Sequence, residues 1–357
     1  MSHLSHDTVP DEYTEYISRK ILFIVVLSIT AALLFIMAIS LGAVHVPVKE
    51  VLLTLSGLSD QGRFHTIIVN IRLPHALAAL LAGAGLASAG TAMQSILRNP
   101  LGSPFTLGIS QAGAFGAAFS VMLLGAGSMQ STQVGAVTIA NPYLTTLAAF
   151  VACMATSLII IAIARIRGAT PEVMVLSGVA LGSLFSAGTM FLQYFADDVQ
   201  LAAMVFWTFG DVGRAGWREV LFMALAVVPG MVFFMANCWN YNAVDAGDET
   251  ARSLGIKVER VRMAGMIVAS LITAIMVSFL GVIGFVGLIC PHMVRRVIGD
   301  DHRFVLPAGA LAGAVLLLAS DMAARLMMAP YVLPVAVLTA FLGAPTFLYL
   351  LIQKRRR

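Results

Sequence analysis

The sequence is poor in charged residues. Only 11% of its 357 residues are Asp, Glu, Lys or Arg, whereas soluble proteins average about 25%. Apolar residues account for 59%, and the mean hydropathy is +0.91. This balance excludes an ordinary soluble domain and predicts a polytopic membrane protein. We therefore expect a lipid bilayer, and no nucleic acid, among its partners.

Two chemical features are also missing. The three cysteines, Cys153, Cys238 and Cys290, lie in or beside apolar runs without paired spacing, so neither a disulfide framework nor a zinc site is predicted. No Gly-Lys dipeptide occurs, which excludes the phosphate-binding loop G-x-x-x-x-G-K-[ST]. We predict no catalytic residues and no metal site, and ATP-driven work would require a nucleotide site on another chain.

Long apolar runs fill most of the chain. Ten segments are predicted membrane helices: 21–44, 75–97, 105–126, 144–164, 173–196, 219–236, 263–283, 284–298, 305–328 and 332–352. A bilayer core of about 30 Å needs about 20 helical residues. The sequence thus predicts an all-α, polytopic integral membrane protein with ten transmembrane helices. Its predicted parts are a tail over 1–20, a ten-span domain over 21–353 and a basic end over 354–357.

The distribution of lysine and arginine predicts the orientation. If residue 1 lies inside the cell, sixteen of the 22 Lys and Arg residues fall on the cytoplasmic side. Basic residues accumulate in the cytoplasmic loops of membrane proteins. Both termini and the polar stretch 245–262 are therefore predicted to be cytoplasmic, whereas the polar connections 45–74 and 197–218 are predicted to lie outside.

The polar stretch 245–262, which we name the elbow, separates two apolar runs. Asp248 is placed to cap a short helix, with Glu249 in its first turn. Gly255 is placed to end that helix in a left-handed conformation. Residues 257–262 then start a second helix that continues into the next apolar run. The elbow is therefore predicted to be a structured turn between helices.

The elbow also has a predicted apolar ridge. Ala251, Leu254 and Val258 recur at three- and four-residue spacing inside a charged surrounding, so they fall on one side of the local helix. Such a ridge suits a docking surface for a soluble partner. It equally suits an ordinary solvated connection between two membrane helices.

Ionisable residues are rare inside the predicted spans. Asp321 and Arg325 lie four residues apart, so they share a helix face and are predicted to form an ion pair. Charged groups at membrane depth are functional candidates, and the pair is either structural or part of a transport site. Cys290-Pro291-His292 is similar to a triplet of heavy-metal pumps. The large soluble domains of those pumps are missing here, and we assign no metal to it.

Arg72-Leu73-Pro74 begins the second predicted span on the outer side. Pro74 suits a first helical turn, where its missing N–H costs nothing. Arg72 is predicted to be an exposed cation, serving either as an anchor at the membrane interface or as a contact for an acidic partner.

A set of short motifs follows in order over residues 20–353: Arg72-Leu-Pro, Met93-Gln94, Arg98-Asn-Pro-Leu101, Leu107-Gly-Ile-Ser110, Leu176-Ser-Gly-Val-Ala-Leu-Gly182, Ala251-Arg-Ser-Leu-Gly255, Gly284-Phe-Val-Gly-Leu-Ile-Cys-Pro-His292, Asp301-His-Arg303, Leu333-Pro334 and Gly343-Ala-Pro345. Together these motifs resemble the FecCD-type permeases of ABC importers for iron complexes and cobalamin. Ala336 stands where glycine is usual in the family, which is a minor departure.

The resemblance implies a type II ABC importer permease with ten helices per subunit. Its implied partners are a second permease copy or a homologue, two cytoplasmic ABC ATPase subunits and an extracytoplasmic substrate-binding protein. The chain itself would be no enzyme and would bind no cofactor, because ATP and Mg²⁺ would sit on the ATPase subunit. The implied location is the plasma (inner) membrane of a bacterium or archaeon, and the implied cargo is an iron–siderophore complex, haem or cobalamin.

The resemblance also assigns roles to individual residues. The coupling segment for the ATPase corresponds to Ala251, Arg252, Leu254 and Gly255. Docking of the binding protein corresponds to Arg72, His75 and Arg325, where His75 replaces a frequent second arginine and would make docking weaker or sensitive to pH. The cytoplasmic gate turns correspond to Asn99 and to Thr170 and Pro171. Two other functions fit the residues alone, namely an ion-coupled secondary transporter using Asp321 and a membrane scaffold that transports nothing.

Overall fold

The computed structural model describes residues 11–42, 44–58, 63–125, 127–128, 138–139, 141–328 and 332–352. In this part of the chain the α-helices are α1 (Asp11–Ser40), α2 (Val48–Leu55), α3 (Arg63–Ile67), α4 (Leu73–Ile96), α5 (Ile109–Leu123), α6 (Pro142–Arg167), α7 (Pro171–Phe195), α8 (Asp198–Thr208), α9 (Trp217–Ala236), α10 (Cys238–Asp245), α11 (Asp248–Ser253), α12 (Val258–Leu280), α13 (Val286–Ile298), α14 (His302–Leu326) and α15 (Val335–Ile352). The remaining elements are a π-helical turn (Ile68–Arg72), a 3₁₀ turn (Val212–Arg214) and a short antiparallel pair, β1 (Gly127–Ser128) with β2 (Thr138–Ile139).

The all-α fold predicted from the sequence is confirmed. Each of the ten apolar segments coincides with a helix, namely α1, α4, α5, α6, α7, α9, α12, α13, α14 and α15. Within the described ranges, seven helices are long and apolar enough to cross a membrane, and α5 and α15 are shorter apolar helices. All ten predicted segments are therefore helical, while length and composition qualify seven of the described helices as spans.

Two boundaries differ from the prediction. Helix α1 begins at Asp11, inside the predicted tail 1–20; the polar residues of that tail continue the helix, and Arg19 pairs with Glu15 one turn away at 2.5 Å. Positions 1–10 and 353–357 lie outside the described residues. The connection 197–218 contains helix α8, which Asp197 starts through a capping box with Gln200.

Helix α4 forms the centre of the molecule. It packs against α14, α12, α13 and α9. In its most apolar stretch of 18 residues, 78% of the residues are buried. Glycine makes the close approach possible, because a Cβ on Gly90 would overlap the carbonyl of Gly287 in α13. Gly83 and Gly313 allow the same approach between α4 and α14. Without a hydrophobic drive in lipid, helices associate through such small-residue contacts.

Helix α7 is the opposite case. In its most apolar stretch of 18 residues, only 17% of the residues are buried. Large side chains such as Leu184 and Tyr194 are 63% and 83% exposed. A single chain therefore leaves one broad helix face available to lipid or to another polypeptide.

Candidate functional site

The elbow folds as two helices at a sharp turn, as predicted. Helix α11 spans Asp248–Ser253, and Gly255 follows it with a φ of +82°, the left-handed conformation that glycine adopts without strain. Helix α12 then starts at Val258. One detail of the prediction is wrong: the N-cap is Gly247, and Asp248 is the first helical residue. Its carboxylate is engaged by Arg262 at 2.7 Å instead.

The predicted apolar ridge reduces to one side chain. Ala251 and Val258 are fully buried and form a small cluster with Ala243 and Val244 of α10. They are covered because α11 folds back onto α10, so they set the position of the elbow and offer no surface. Leu254 remains 68% exposed, and it is the ridge residue that a partner could contact.

Charged residues flank Leu254 in the sequence. Arg252, at 56% side-chain exposure, pairs with Glu259 at 2.6 Å across the turn. Exposed ion pairs contribute at most about 1 kcal/mol, so this pair orients the rim of the elbow more than it stabilises the fold. The result is a single apolar side chain on a rigid, charged turn.

The two predicted gate turns lie at the elbow end of the helices. Asn99 is half-buried in the turn after α4, where its Oδ1 accepts a hydrogen bond from the Leu101 N–H at 2.9 Å. Thr170 caps α7 by accepting from the Val173 N–H at 3.5 Å, and Pro171 is the first residue of that helix. Both turns are therefore ordered by local hydrogen bonds. Their role as gates stays a prediction.

The sequence analysis missed a polar cluster around Asp245, the first residue of the elbow. The carboxylate of Asp245 lies 2.9 Å from Ser95 Oγ, 2.9 Å from His302 Nε2 and 3.4 Å from Arg295 Nη1. Burial raises the pKa of Asp245, but the hydrogen bond from His302 and the charge of Arg295 outweigh it, so the pKa is lowered overall. These contacts join α4, α10, α13 and α14. Isolated polar residues at the ends of apolar runs were the available signal.

Arg72 is not the exposed cation that the sequence predicted. It is only 6% exposed, and its guanidinium donates to the carbonyls of Ile39 at 2.6 Å, Ser40 at 2.7 Å and Val44. Helix ends leave carbonyls without intrahelical partners, and a cation suits the negative end of the helix dipole. Arg72 therefore closes the end of α1, a long-range contact that the local sequence does not reveal.

Arg325 lies at the same end of α1. It forms the predicted ion pair with Asp321 at 2.7 Å and also donates to the carbonyl of Ala38 at 3.3 Å. His75 is half-buried in the first turns of α4. Arg72 and Arg325 therefore both bind carbonyls at the end of α1. Arg72 lies just before the first residue of α4, whereas the elbow contacts the last residue of α4. Their docking role is untested by this geometry.

A stability test separates the observed role of Arg72 from a surface role. Replacing Arg72 with Gln removes the guanidinium donors from the carbonyls at the end of α1, although the Ser40 carbonyl also accepts from the Val46 N–H at 3.1 Å. Each buried group left unsatisfied costs about 1–3 kcal/mol. We expect the melting temperature of the detergent-purified protein to fall by several degrees, which corresponds to about 3 kcal/mol. Lys49→Gln, an exposed cation in the neighbouring α2, is the control. Equal melting temperatures for both variants would contradict the buried role.

A cleft of about 450 Å³ runs between α5 and α7. Its wall combines small and weakly polar residues, namely Thr106, Gly108, Gln111, Gly178, Gly182, Ser183 and Ser186, with Phe105, Val179 and Met190. Gly108 has a φ of +77°, and a Cβ there would collide with the backbone of Gly178 and Gly182. The two helices therefore meet closely at one edge of the cleft and leave its other side open.

Comparison with known proteins decides the family. The model of the FecCD transport family matches residues 29–353. The chain belongs to the FecCD transport family. FecCD proteins are permease subunits of ABC transporters, which are not enzymes themselves, so the chain is a multi-span membrane permease of this class.

Individual FecCD relatives cover nearly the whole chain. A Methanocaldococcus jannaschii protein classed as an ABC transporter permease is 52% identical over 98% of this chain and 99% of its own length. The hemin transport system permease of Yersinia pestis is 36% identical over 85% of this chain and 88% of its own. A solved inward-facing metal-chelate type ABC transporter matches with a TM-score of 0.78 and 26% identity, over 94% of this chain and 99% of that one.

Proposed function

We propose that this FecCD permease forms the translocation path of a binding-protein-dependent importer for a bulky iron–siderophore complex, haem or cobalamin, driven by ATP hydrolysis in a separate subunit. The observation that carries the proposal is Leu254, which is 68% exposed on an elbow that buried Ala251, Val258 and Arg262 hold in place. In this proposal the elbow and both termini face the cytoplasm of a bacterium or archaeon. This is the side on which the basic residues are concentrated.

The elbow has the properties of a small docking site. Leu254 would enter a groove on an ATPase subunit, as apolar anchors do at the centre of an interface. Arg252 would lie at its rim, while buried Ala251 and left-handed Gly255 fix the direction in which Leu254 points. Because the anchor stands on a stiff turn, closure of two ATPase subunits around ATP would move the elbow as a lever.

A second permease copy or a homologue would complete the path. The exposed face of α7 and the open cleft beside α5 lie on one side of the molecule. In the dimer this wall would face its counterpart. Small and weakly polar groups such as Gln111 and Ser183 would contact cargo without holding it tightly, which favours release.

The binding protein would dock at the end of the molecule that carries Arg325 and His75. Arg325 keeps 17% side-chain exposure, and a positive charge near the surface steers and orients an acidic partner more than it adds affinity. Arg72 is too buried for direct contact, so it would support the docking surface from below.

The hemin permease of Yersinia pestis and the metal-chelate transporter support a metal complex as cargo. Reconstitution in vesicles with the ATPase subunit and the binding protein of the same system tests this. Ferric siderophore, haemin and cobalamin are the probes. We expect ATP-dependent uptake of one probe by the complete complex and none without the ATPase. Uphill uptake by the permease alone would refute the proposal.

Asp321 separates this proposal from ion-coupled transport. Its carboxylate is paired with Arg325 at 2.7 Å, which favours a structural pair over a free proton or ion site. We expect Asp321→Asn to lower stability, because it leaves a partly buried cation unpaired, while the remaining uptake still depends on ATP. Uptake driven by an ion gradient in the wild type and abolished in Asp321→Asn would favour the secondary transporter. The measurement is uptake with ATP and with an imposed gradient, each applied alone.

A further inference from the structure

Arg262 is a buried arginine at the start of α12. It is 2% exposed, and its guanidinium forms a bidentate pair with Asp248, with distances of 2.7 Å to Oδ1 and 2.8 Å to Oδ2. It also donates to the carbonyl of Ile96 at 3.0 Å and to that of Ala169 at 3.5 Å. A buried guanidinium is costly unless acceptors satisfy its N–H groups, and four acceptors surround this one.

The acceptors belong to three separate elements. Asp248 is the first residue of α11 in the elbow, and Ile96 is the last residue of α4, just before the Asn99 turn. Ala169 lies in the turn before Thr170 and has a φ of +52°. One side chain therefore bonds the elbow and the backbone next to both predicted gate turns. These three elements are not consecutive in the sequence, so Arg262 joins parts of the chain that no single loop connects.

Neighbouring contacts tighten the same junction. The Cδ1 of Ile96 packs so closely on Gly265 of α12 that a Cβ there would lie 2.5 Å away. Arg98, in the Asn99 turn itself, reaches Asp248 at 3.8 Å. The end of α4 thus contacts both helices of the elbow.

The geometry of arginine makes this junction stiff. The guanidinium presents its donors in one fixed plane, and a bidentate carboxylate pair fixes its orientation. If the elbow shifts, Asp248 either carries the guanidinium along or loses the pair in a buried place, where an unpaired charge is strongly unfavourable. When the guanidinium plane of Arg262 moves, it displaces the carbonyls of Ile96 and Ala169 together.

We infer that Arg262 is the positioning residue that transmits elbow movement to the Asn99 and Thr170 turns, so that both gate turns move as one. This inference rests on the proposed function, because it takes the elbow as the site where ATPase subunits act. It adds a specific residue that touches neither cargo nor ATPase. Asp248 is its partner in the elbow.

The experiment uses the complete transporter in vesicles, with the probe that the wild type transports. Arg262→Gln removes the cation, and Asp248→Asn weakens the link while leaving Arg262 on the two carbonyls. Arg260→Gln is the matched control, because Arg260 is an exposed cation on the same turn of α12. Two quantities are measured: probe molecules imported per ATP hydrolysed, and the distance between spin labels on Leu101→Cys in the two copies. The three native cysteines are buried, so the label is selective.

We expect Arg262→Gln to retain its ATPase subunits and ATP hydrolysis, while import per ATP falls about tenfold, as for the loss of a coupling interaction. The label distance should stop responding to nucleotide. Asp248→Asn should give a smaller effect of the same kind, and Arg260→Gln should stay within about twofold of wild type. Stability alone would lower the yield of protein without changing import per ATP.

Two outcomes would overturn the inference. Arg262→Gln could match Arg260→Gln in import per ATP, or its label distance could respond to nucleotide as in the wild type. If Arg262→Gln does not assemble, Asp248→Asn decides by the same two measurements. Absence of ATP-dependent import in the wild type would instead refute the proposed function, so the two failures are distinguishable.

Discussion

Replacing Leu254 with Asp should abolish ATP-driven uptake while the permease still inserts and folds. Leu254 is 68% exposed, so the change disturbs no internal packing. In the proposed complex its side chain fills an ATPase groove, and a carboxylate would be desolvated there without a partner. Loss of a central anchor costs about 2 kcal/mol or more, which is a loss of affinity of about thirtyfold.

Co-purification of the ATPase subunit and vesicle uptake measure this effect. Ser253→Asp is the control, because it adds the same charge at the adjacent exposed position and keeps the leucine. We expect the control to retain the ATPase. If Leu254→Asp also retains the ATPase and transports normally, the elbow is not the coupling site.

Replacing Gly90 with Val should prevent the helical core from assembling. A Cβ at this position would overlap the carbonyl oxygen of Gly287 and the backbone around it. A backbone cannot move aside as a flexible side chain can, so α4 and α13 would have to separate. Overpacking usually costs about 1–3 kcal/mol, and contact with a helix backbone places this change at or above that upper end.

The yield of monodisperse protein in detergent and its melting temperature report the result. Gly309→Ala is the control at the neighbouring contact of α14 with α4, where the added Cβ would meet only Thr91 Oγ1, at 3.0 Å. We expect little folded protein for Gly90→Val and a nearly normal yield for Gly309→Ala. A normal yield for both would mean that the two helices are farther apart than described.

The helices were predictable because lipid leaves the backbone little choice. A chain in hydrocarbon must satisfy its own N–H and C=O groups, so each apolar run became a helix. The turn at Gly255 was also predictable, since its signal is local. The helix α8 was missed within a polar connection, although Asp197 and Gln200 are typical of a capping box.

The tertiary contacts of charged residues could not be predicted. Arg72 binds carbonyls about thirty positions earlier in the chain, and Arg262 binds one 166 positions away. Sequence spacing has no information on such distant pairs. The same holds for Ala251, whose helical spacing fits an exposed ridge and whose real neighbours are in α10. Which of the predicted site residues are exposed could therefore be learned only from the structure.

The length of helix α1 indicates where the protein lies relative to the two surfaces of the bilayer. Its 30 residues measure about 45 Å at about 1.5 Å per residue, longer than the hydrocarbon layer of about 30 Å. Its apolar portion, 21–40, matches that layer, which sets the two water boundaries near Lys20 and Ser40. The guanidinium groups of Arg72 and Arg325, bound to the carbonyls of residues 38, 39, 40 and 44, then lie at the level of the lipid headgroups. Neither cation is therefore buried in the hydrocarbon core of the bilayer.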